Sequence, residues 1–239
     1  MLSRVLAILR LEGPAGLHRR VLMRLRWPWA IPSRYGPRFA ANHGDATFRM
    51  YVRGSYGPFY WDRLAAVAHP FVFLDIGANQ GLYAIGAARN PNCLACHAFE
   101  PVPATYAYLQ QNLRLNGVAG KVRAINAGIA DRAGSAEIVM ADGHSGGATM
   151  AASGPRGAGA RQTIRIDLLD AAALDRLVPA DAAPILVKID VEGFEPVVID
   201  QLLQTAFADE IFEIFLEIDE DRVRADAIRR RLGEAGFTA

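Results

Sequence analysis

Carboxylates and a lysine gather in two short stretches of the chain, and their spacing limits what chemistry they can do. In FVFLDIGANQG, residues 71–81, an apolar run of β-formers ends at Asp75 and is broken by Gly77, Asn79 and Gly81 before a helical pattern begins at Leu82. This reads as a buried parallel strand entering a tight loop and a helix N-terminus, the place where open α/β sheets bind nucleotides. In PILVKIDVEGFE, residues 184–195, a second buried strand carries Lys188 and Asp190 at its C-terminal end, with Glu192 just beyond. Burying a charge costs several kcal/mol unless the charge is paired or used. Lys188, Asp190 and Glu192 are therefore candidates for catalysis.

The first loop departs from the dinucleotide pattern. Its spacing is G-A-N-Q-G, and an acid at the strand tip repels phosphate. It suits a ligand with no phosphate and some positive charge. S-adenosylmethionine fits, because Asp75 can neutralise its ammonium and the amides at the next helix start can hold its carboxylate. The competing reading is a glycine-rich βα corner that binds nothing. Glu100 ends the next strand, 94–99, and stands 25 residues beyond Asp75. A Rossmann-like sheet places the acid that accepts hydrogen bonds from ribose at such a position. Asn126 and Ala127 end the third strand, 122–127, where an adenine would lie against backbone or side chain.

These residues need a sheet to position them. With the strand from Phe71 at its centre, the strand ending in Asp190 is expected beside it, so that Asp75 and Asp190 face one crevice. Helices are expected over 82–89, 103–116, 168–177, 193–207 and 222–234, with further strands over 135–140, 163–166 and 211–218. The last of these strands adds Glu217. Residues 48–61 read as an irregular or strand-like cap before a helix at 62–68, and its aromatics cover either the cofactor mouth or the core. Residues 142–160, rich in Gly and Ser, have the length of an active-site lid or a disordered segment. His144 and Ser145 within them could reach a substrate, with His144 read as a solvated bystander.

Composition narrows the class. The chain has 239 residues, 51% of them hydrophobic and 21% charged, enough for one good core and a small appendage. Residues 1–40 carry eight arginines against Glu12 alone, so a net charge of +1 conceals a basic arm of +7 and a remainder of −6. The arm, residues 1–44 with a Pro and aromatic linker at 27–38, alternates apolar and Arg positions at helical spacing. It reads as a helical lid or dimer arm, or as a weak contact with an anionic membrane surface. The sequence shows neither a signal peptide nor a run of about 20 apolar residues, so a cytoplasmic location is expected. Cys93 and Cys96 with His97 match C-x-x-C-H, yet they alternate within a buried strand and read as apolar packing rather than a haem or metal site.

DIGANQGLY, AFEP followed by a helix and N-x-x-L-N-G, NAGIAD, VKIDVEGFE and FLEI occur in this order over about residues 45–235. Together they resemble the FkbM family of S-adenosylmethionine-dependent methyltransferases. The resemblance implies a Rossmann-like class I methyltransferase domain over 45–239, with a doubly wound, mostly parallel sheet. It also implies O-methylation of a hydroxyl on a sugar, glycan or other small natural-product acceptor. Asp75, Gly77, Asn79, Gly81 and Glu100 match the cofactor motifs, and Asp190 and Glu192 match the acidic pair beside the methyl group. The sequence stops at Ala239, before the edge strands that the resemblance implies, so an incomplete C-terminal edge is expected.

An alcohol is a poor nucleophile, so a base near its proton is expected. Asp190 is assigned that role, with Glu192 in reserve and Lys188 as a neutralising neighbour. Asp190, Glu192 and Glu217 could instead hold Mg²⁺, although no ligand spacing fixes such a site and none is assigned. A nicotinamide dehydrogenase lacks its glycine spacing here. A nucleic-acid methyltransferase lacks a basic face on the acidic domain, so no nucleic-acid partner is expected. A degenerate protein that binds the cofactor without catalysis, or a methyltransferase with a non-hydroxyl acceptor, remains the competing reading. A homo-oligomer is compatible with the arm.

Overall fold

A computed structural model of the chain describes residues 2–141, 161–178, 183–217 and 224–238. The predicted lid, with His144 and Ser145, lies outside the described residues. Five strands make the central sheet: β3 (Phe71–Ile76), β4 (Cys93–Phe99), β5 (Val122–Ile125), β9 (Ile185–Ile189) and β10 (Ile211–Leu216), in the order β10-β9-β3-β4-β5. All neighbours in it are parallel. The strand from Phe71 is central and pairs with the one before Asp190, in a register that sets Asp75 opposite Lys188.

Both faces of the sheet are covered, which is why β3 and β9 read as unbroken apolar runs rather than alternating ones. Phe71 and Phe73 point into one layer with Leu82, Ile85, Leu109 and Leu113 from α4 (Leu82–Arg89) and α5 (Pro103–Leu115). Val72, Leu74 and Ile76 point into the other, with Leu174 from α6 (Ala171–Asp175), Val198 and Leu202 from α7 (Glu195–Leu202), and Ile228 from α8 (Ala225–Glu234). Asp75 and Lys188 have the parity of Phe73 and Leu186, so two charged groups enter the first layer. A separate sheet carries β6 (Gly128–Ile129), β7 (Gly134–Ala141) and β8 (Arg161–Leu169), with β7 and β8 antiparallel. Cys93 and Cys96 are buried in the first core layer as free thiols.

The segment before β3 differs from its sequence reading. It holds α1 (Leu2–Arg24), a hairpin of β1 (Ala30–Pro32) and β2 (Arg38–Ala40), α2 (Ala46–Arg53) and α3 (Pro58–Ala65). Residues 46–53 are helical, not strand-like. Asp45 caps the first turn by accepting from the Phe48 N–H at 2.7 Å, and Gly54 ends the helix in the left-handed region. Helix α3 begins at Pro58, before the predicted helix at 62–68, because Pro is suited to a first turn. The 27–38 linker contains β1 and the start of β2.

Asn112 ties this segment to the domain. Its Oδ1 accepts from the Ala40 N–H at 2.8 Å and its Nδ2 donates to the Gln80 carbonyl at 2.8 Å. It is fully buried, so neither bond can be replaced by water. The Gln80 side chain in turn donates to Asp45 at 2.8 Å, so the glycine loop is gripped from behind. Asn112→Ala leaves two buried backbone groups without partners and should cost about 2 to 5 kcal/mol in urea unfolding. A loss under about 0.5 kcal/mol would mean that the extension is not anchored there.

Candidate functional site

Strand β3 stops at Ile76, and the next two amides, of Gly77 and Ala78, both donate to the Phe99 carbonyl at the end of β4. Gly77 has φ +78°, and a Cβ there would fall 1.9 Å from the Asp190 carbonyl. Only glycine lets the tips of β3 and β9 approach this closely. The result is a cleft at the carboxyl ends of β3, β4 and β9. Gly77, Asn79, Glu100, Asp190 and Glu192 line its polar side, and Phe99, Ile129, Ile138, Ile166 and Phe194 line its apolar side. Glu192 has φ +53° and Asn79 φ +50°, so two polar residues hold left-handed backbone within the cleft wall.

Glu100 is buried and accepts the Asn79 N–H and the Val102 N–H, each at 2.9 Å, one on each carboxylate oxygen. Burial raises its pKa to about 7, against those two hydrogen bonds. Each oxygen keeps a further lone pair for a donor such as a ribose hydroxyl. Asp75 lies beneath the cleft rather than in its wall. Its Oδ2 accepts the Ala84 N–H at 2.9 Å in the first turn of α4, and its buried Oδ1 has no hydrogen-bond partner among the described residues. Burial pushes its pKa up to about 6, with Lys188 pulling the other way. Gly81 begins α4 at φ +91°, where a Cβ would meet Leu109 at 2.6 Å. Of the two residues expected at the adenine end, Asn126 turns its side chain away from the cleft and Ala127 lines it. The Asn126 amide donates to the carbonyls of Glu100 and Pro101, at 2.7 and 3.0 Å, and Gly128 lines the cleft beside Ala127.

A charged cluster stands at the other end of the cleft. Lys188 is 2% exposed and Asp190 19%, and they form an ion pair at 3.2 Å. The lysine is sealed while its partner reaches the cleft. Burial works against the Lys188 charge, but Asp190, Asp75 and Glu217 together hold its pKa above the ordinary value. Its ammonium also lies 5.2 Å from the centre of the Tyr83 ring.

Sequence reasoning missed Tyr56, in the turn between α2 and α3. Its hydroxyl is 2.6 Å from Asp190 Oδ2 and 3.1 Å from Glu217 Oε2. One hydroxyl carries one proton, so it donates to one carboxylate and accepts from the other only when that one is protonated. Burial and the nearby Asp190 raise the pKa of Glu217, which suits it to the protonated role. Tyr56 is held by Tyr35, whose hydroxyl donates to its carbonyl, and by edge contact with Tyr51 at 5.2 Å between ring centres. The only signal in the sequence was the density of aromatics in FRMYVRGSYGPFYW.

The sheet order, glycine loop and acid-tipped strands define a Rossmann-like methyltransferase fold. The fold is similar to that of the METTL16 methyltransferase domain, at 12% identity and a TM-score of 0.52 over 95% of this chain and 72% of that one. A crystal structure of Methyltransferase FkbM from Methylobacillus flagellatus KT aligns at 16% identity and a TM-score of 0.40, over 69% of this chain and 40% of that one. Methyltransferase sdnD of Sordaria araneosa is 37% identical over 68 residues, 28% of this chain, and the match spans 26% of that relative's length. The family model for the Methyltransferase FkbM domain matches residues 75–239, and the chain belongs to the FkbM methyltransferase family.

Hydroxyls donate to an ionised carboxylate, so a ligand held by Glu100 should bind more tightly above pH 7 than below it. Titration with S-adenosylhomocysteine should show about tenfold weaker affinity at pH 6 than at pH 8. Glu100→Gln should bind weakly at both values. The same raised pKa means that this group's contribution to the stability of the unliganded chain is present at acid pH and is lost as pH rises from about 4.5 through about 7. Affinity independent of pH would remove Glu100 from the ligand contacts.

Proposed function

We propose that this chain is an S-adenosylmethionine-dependent methyltransferase that O-methylates a hydroxyl of a sugar, glycan or other small natural-product acceptor. The reading is carried by Asp190, a carboxylate that reaches the cleft while a buried lysine and a tyrosine hydroxyl hold its inner oxygen. The residues present fit the cofactor. Glu100 has lone pairs for ribose hydroxyls, the apolar wall of Phe99, Ile129 and Ile138 suits a flat base, and buried Asp75 offers negative charge beneath the loop.

When bound, S-adenosylmethionine supplies an electrophilic methyl group on a positively charged sulfur. Asp190 orients the acceptor hydroxyl and takes its proton as the oxygen attacks. General base assistance of this kind contributes about 10²- to 10⁴-fold. The position of Asp190 is fixed by Lys188 and Tyr56, both of which meet Oδ2. Glu217, which burial and the nearby Asp190 favour in its protonated form, can donate to Tyr56 while Tyr56 donates to Asp190, so the chain of donors ends on the candidate base. Glu192, held in left-handed backbone beside Asp190, bounds the acceptor side of the cleft.

The test is methyl transfer from labelled S-adenosylmethionine to a panel of hydroxylated acceptors. A methylated ether product is the expected result. Products methylated only on nitrogen or carbon, or none with any acceptor despite cofactor binding, would overturn the reading. On a productive acceptor, Asp190→Asn should lower kcat by about 10²-fold or more while leaving S-adenosylhomocysteine affinity within about threefold. Tyr56→Phe should lower kcat by about tenfold and move the acid limb of its pH profile. An unchanged profile in Tyr56→Phe would reduce that tyrosine to a packing role.

A further inference from the structure

The second half of α1 and the residues after it form a surface that neither the sheet nor the cleft uses. Pro14, His18 and Val21 are exposed along one stripe of the helix, and Arg20 and Arg24 are exposed beside them. The stripe continues past the helix end into Leu25, 68% exposed, Trp27, 42%, and Trp29, 70%. The opposite side of the helix faces the body of the protein: Leu22 and Met23 pack against the first core layer, and Arg19 is buried. The outward apolar groups are therefore not a misplaced core face. They are also held in place. The Trp27 carbonyl lies 2.8 Å from His43 Nε2, and β1 begins directly after Trp29.

The charge of this region is of one sign. Residues 13–44 contain six arginines, at 19, 20, 24, 26, 34 and 38, and no aspartate or glutamate. Two such faces would repel each other, which disfavours a second copy as the cover. Nucleic acid could take up the guanidinium groups and stack on the indoles, but it would leave Val21 and Leu25 uncovered. A bilayer interface satisfies all of them at once. Indole rings sit at headgroup depth, aliphatic side chains reach the acyl boundary, and arginines meet lipid phosphates on flexible stems. Among the described residues no helix is long and apolar enough to cross a membrane, so the contact would lie in the interface plane.

We propose that this arginine and tryptophan face docks the protein on the surface of an anionic phospholipid bilayer. The inference does not depend on the methyltransferase reading. It is tested by sedimenting the full chain with vesicles of phosphatidylcholine alone and with vesicles carrying about 30% phosphatidylglycerol, at about 0.1 M and about 0.5 M salt. The anionic vesicles should bind at least about tenfold more strongly at low salt, with a blue shift of tryptophan emission, and the higher salt should remove most of the difference. Arg24→Gln with Arg26→Gln should weaken binding about tenfold. Trp27→Ser with Trp29→Ser should abolish the blue shift, and both double variants should keep their circular dichroism spectrum and their affinity for S-adenosylhomocysteine. Equal binding to both vesicles, or binding to neither, would overturn the proposal. So would preferential binding to an oligonucleotide, or a dimer in sedimentation equilibrium that the tryptophan variant dissolves.

Discussion

A buried ammonium at the middle of a parallel sheet sets the terms for the strands around it. Lys188 sits opposite Asp75 in the strand register and two residues before Asp190, with almost no exposure to water. Isolated, such a charge would cost several kcal/mol. It persists because acids on β3 and just beyond the tips of β9 and β10 surround it, and the attraction outweighs the desolvation. The converse holds for the acids. Asp75 has buried Lys188 beside it, and Asp190 has that lysine together with a tyrosine hydroxyl. The cluster is stable only as a unit, so the tips of β3, β9 and β10 are bound to one relative position.

The rest of the fold serves that position. Gly77 removes the side chain that would separate two strand tips, and the loop it opens is gripped from the far side by Asp45 and Asn112. The segment before β3 is fastened by the same two residues. It then delivers Tyr56 across 134 residues of sequence to Asp190, so a part of the chain outside the sheet completes the polar network. Arg63 on α3 reinforces this by pairing with Glu213 on β10 at 2.6 Å. The distance between the proposed cofactor acid and the proposed base is thus set by packing, which is the kind of positioning a displacement at a methyl carbon needs.

Much of this was legible in the sequence because buried parallel strands announce themselves as apolar runs, and a charge within such a run stands out. The sheet centre, the pairing of the strand that carries Asp75 with the one before Asp190, and Glu100 at the next strand tip could all be read that way, but not that Asp75 would lie beneath the crevice instead of facing it. The cap before β3 could not. Tyr51 and Val52 suggested alternation, whereas the capping of Phe48 by Asp45 and the left-handed Gly54 made a helix there. Asn126 was placed correctly at a strand end, but which way an amide turns depends on carbonyls brought in from β4. The role of Tyr56 was hidden for the same reason. A bridge between two carboxylates exists only once two strands and a loop have met.

Only Lys121 and Lys188 are lysines in this chain, so carbon-13 labelling of lysine gives a spectrum in which the buried group can be followed by itself. If the cluster is held as described, the Lys188 side chain in the folded protein loses its proton only above pH 10.5, the ordinary lysine value. It should titrate at lower pH once Asp190 is replaced by Asn. A Lys188 that loses its proton well below 10.5 in the unaltered protein would contradict the picture, because Asp75 and Asp190 would then share the site with a neutral amine.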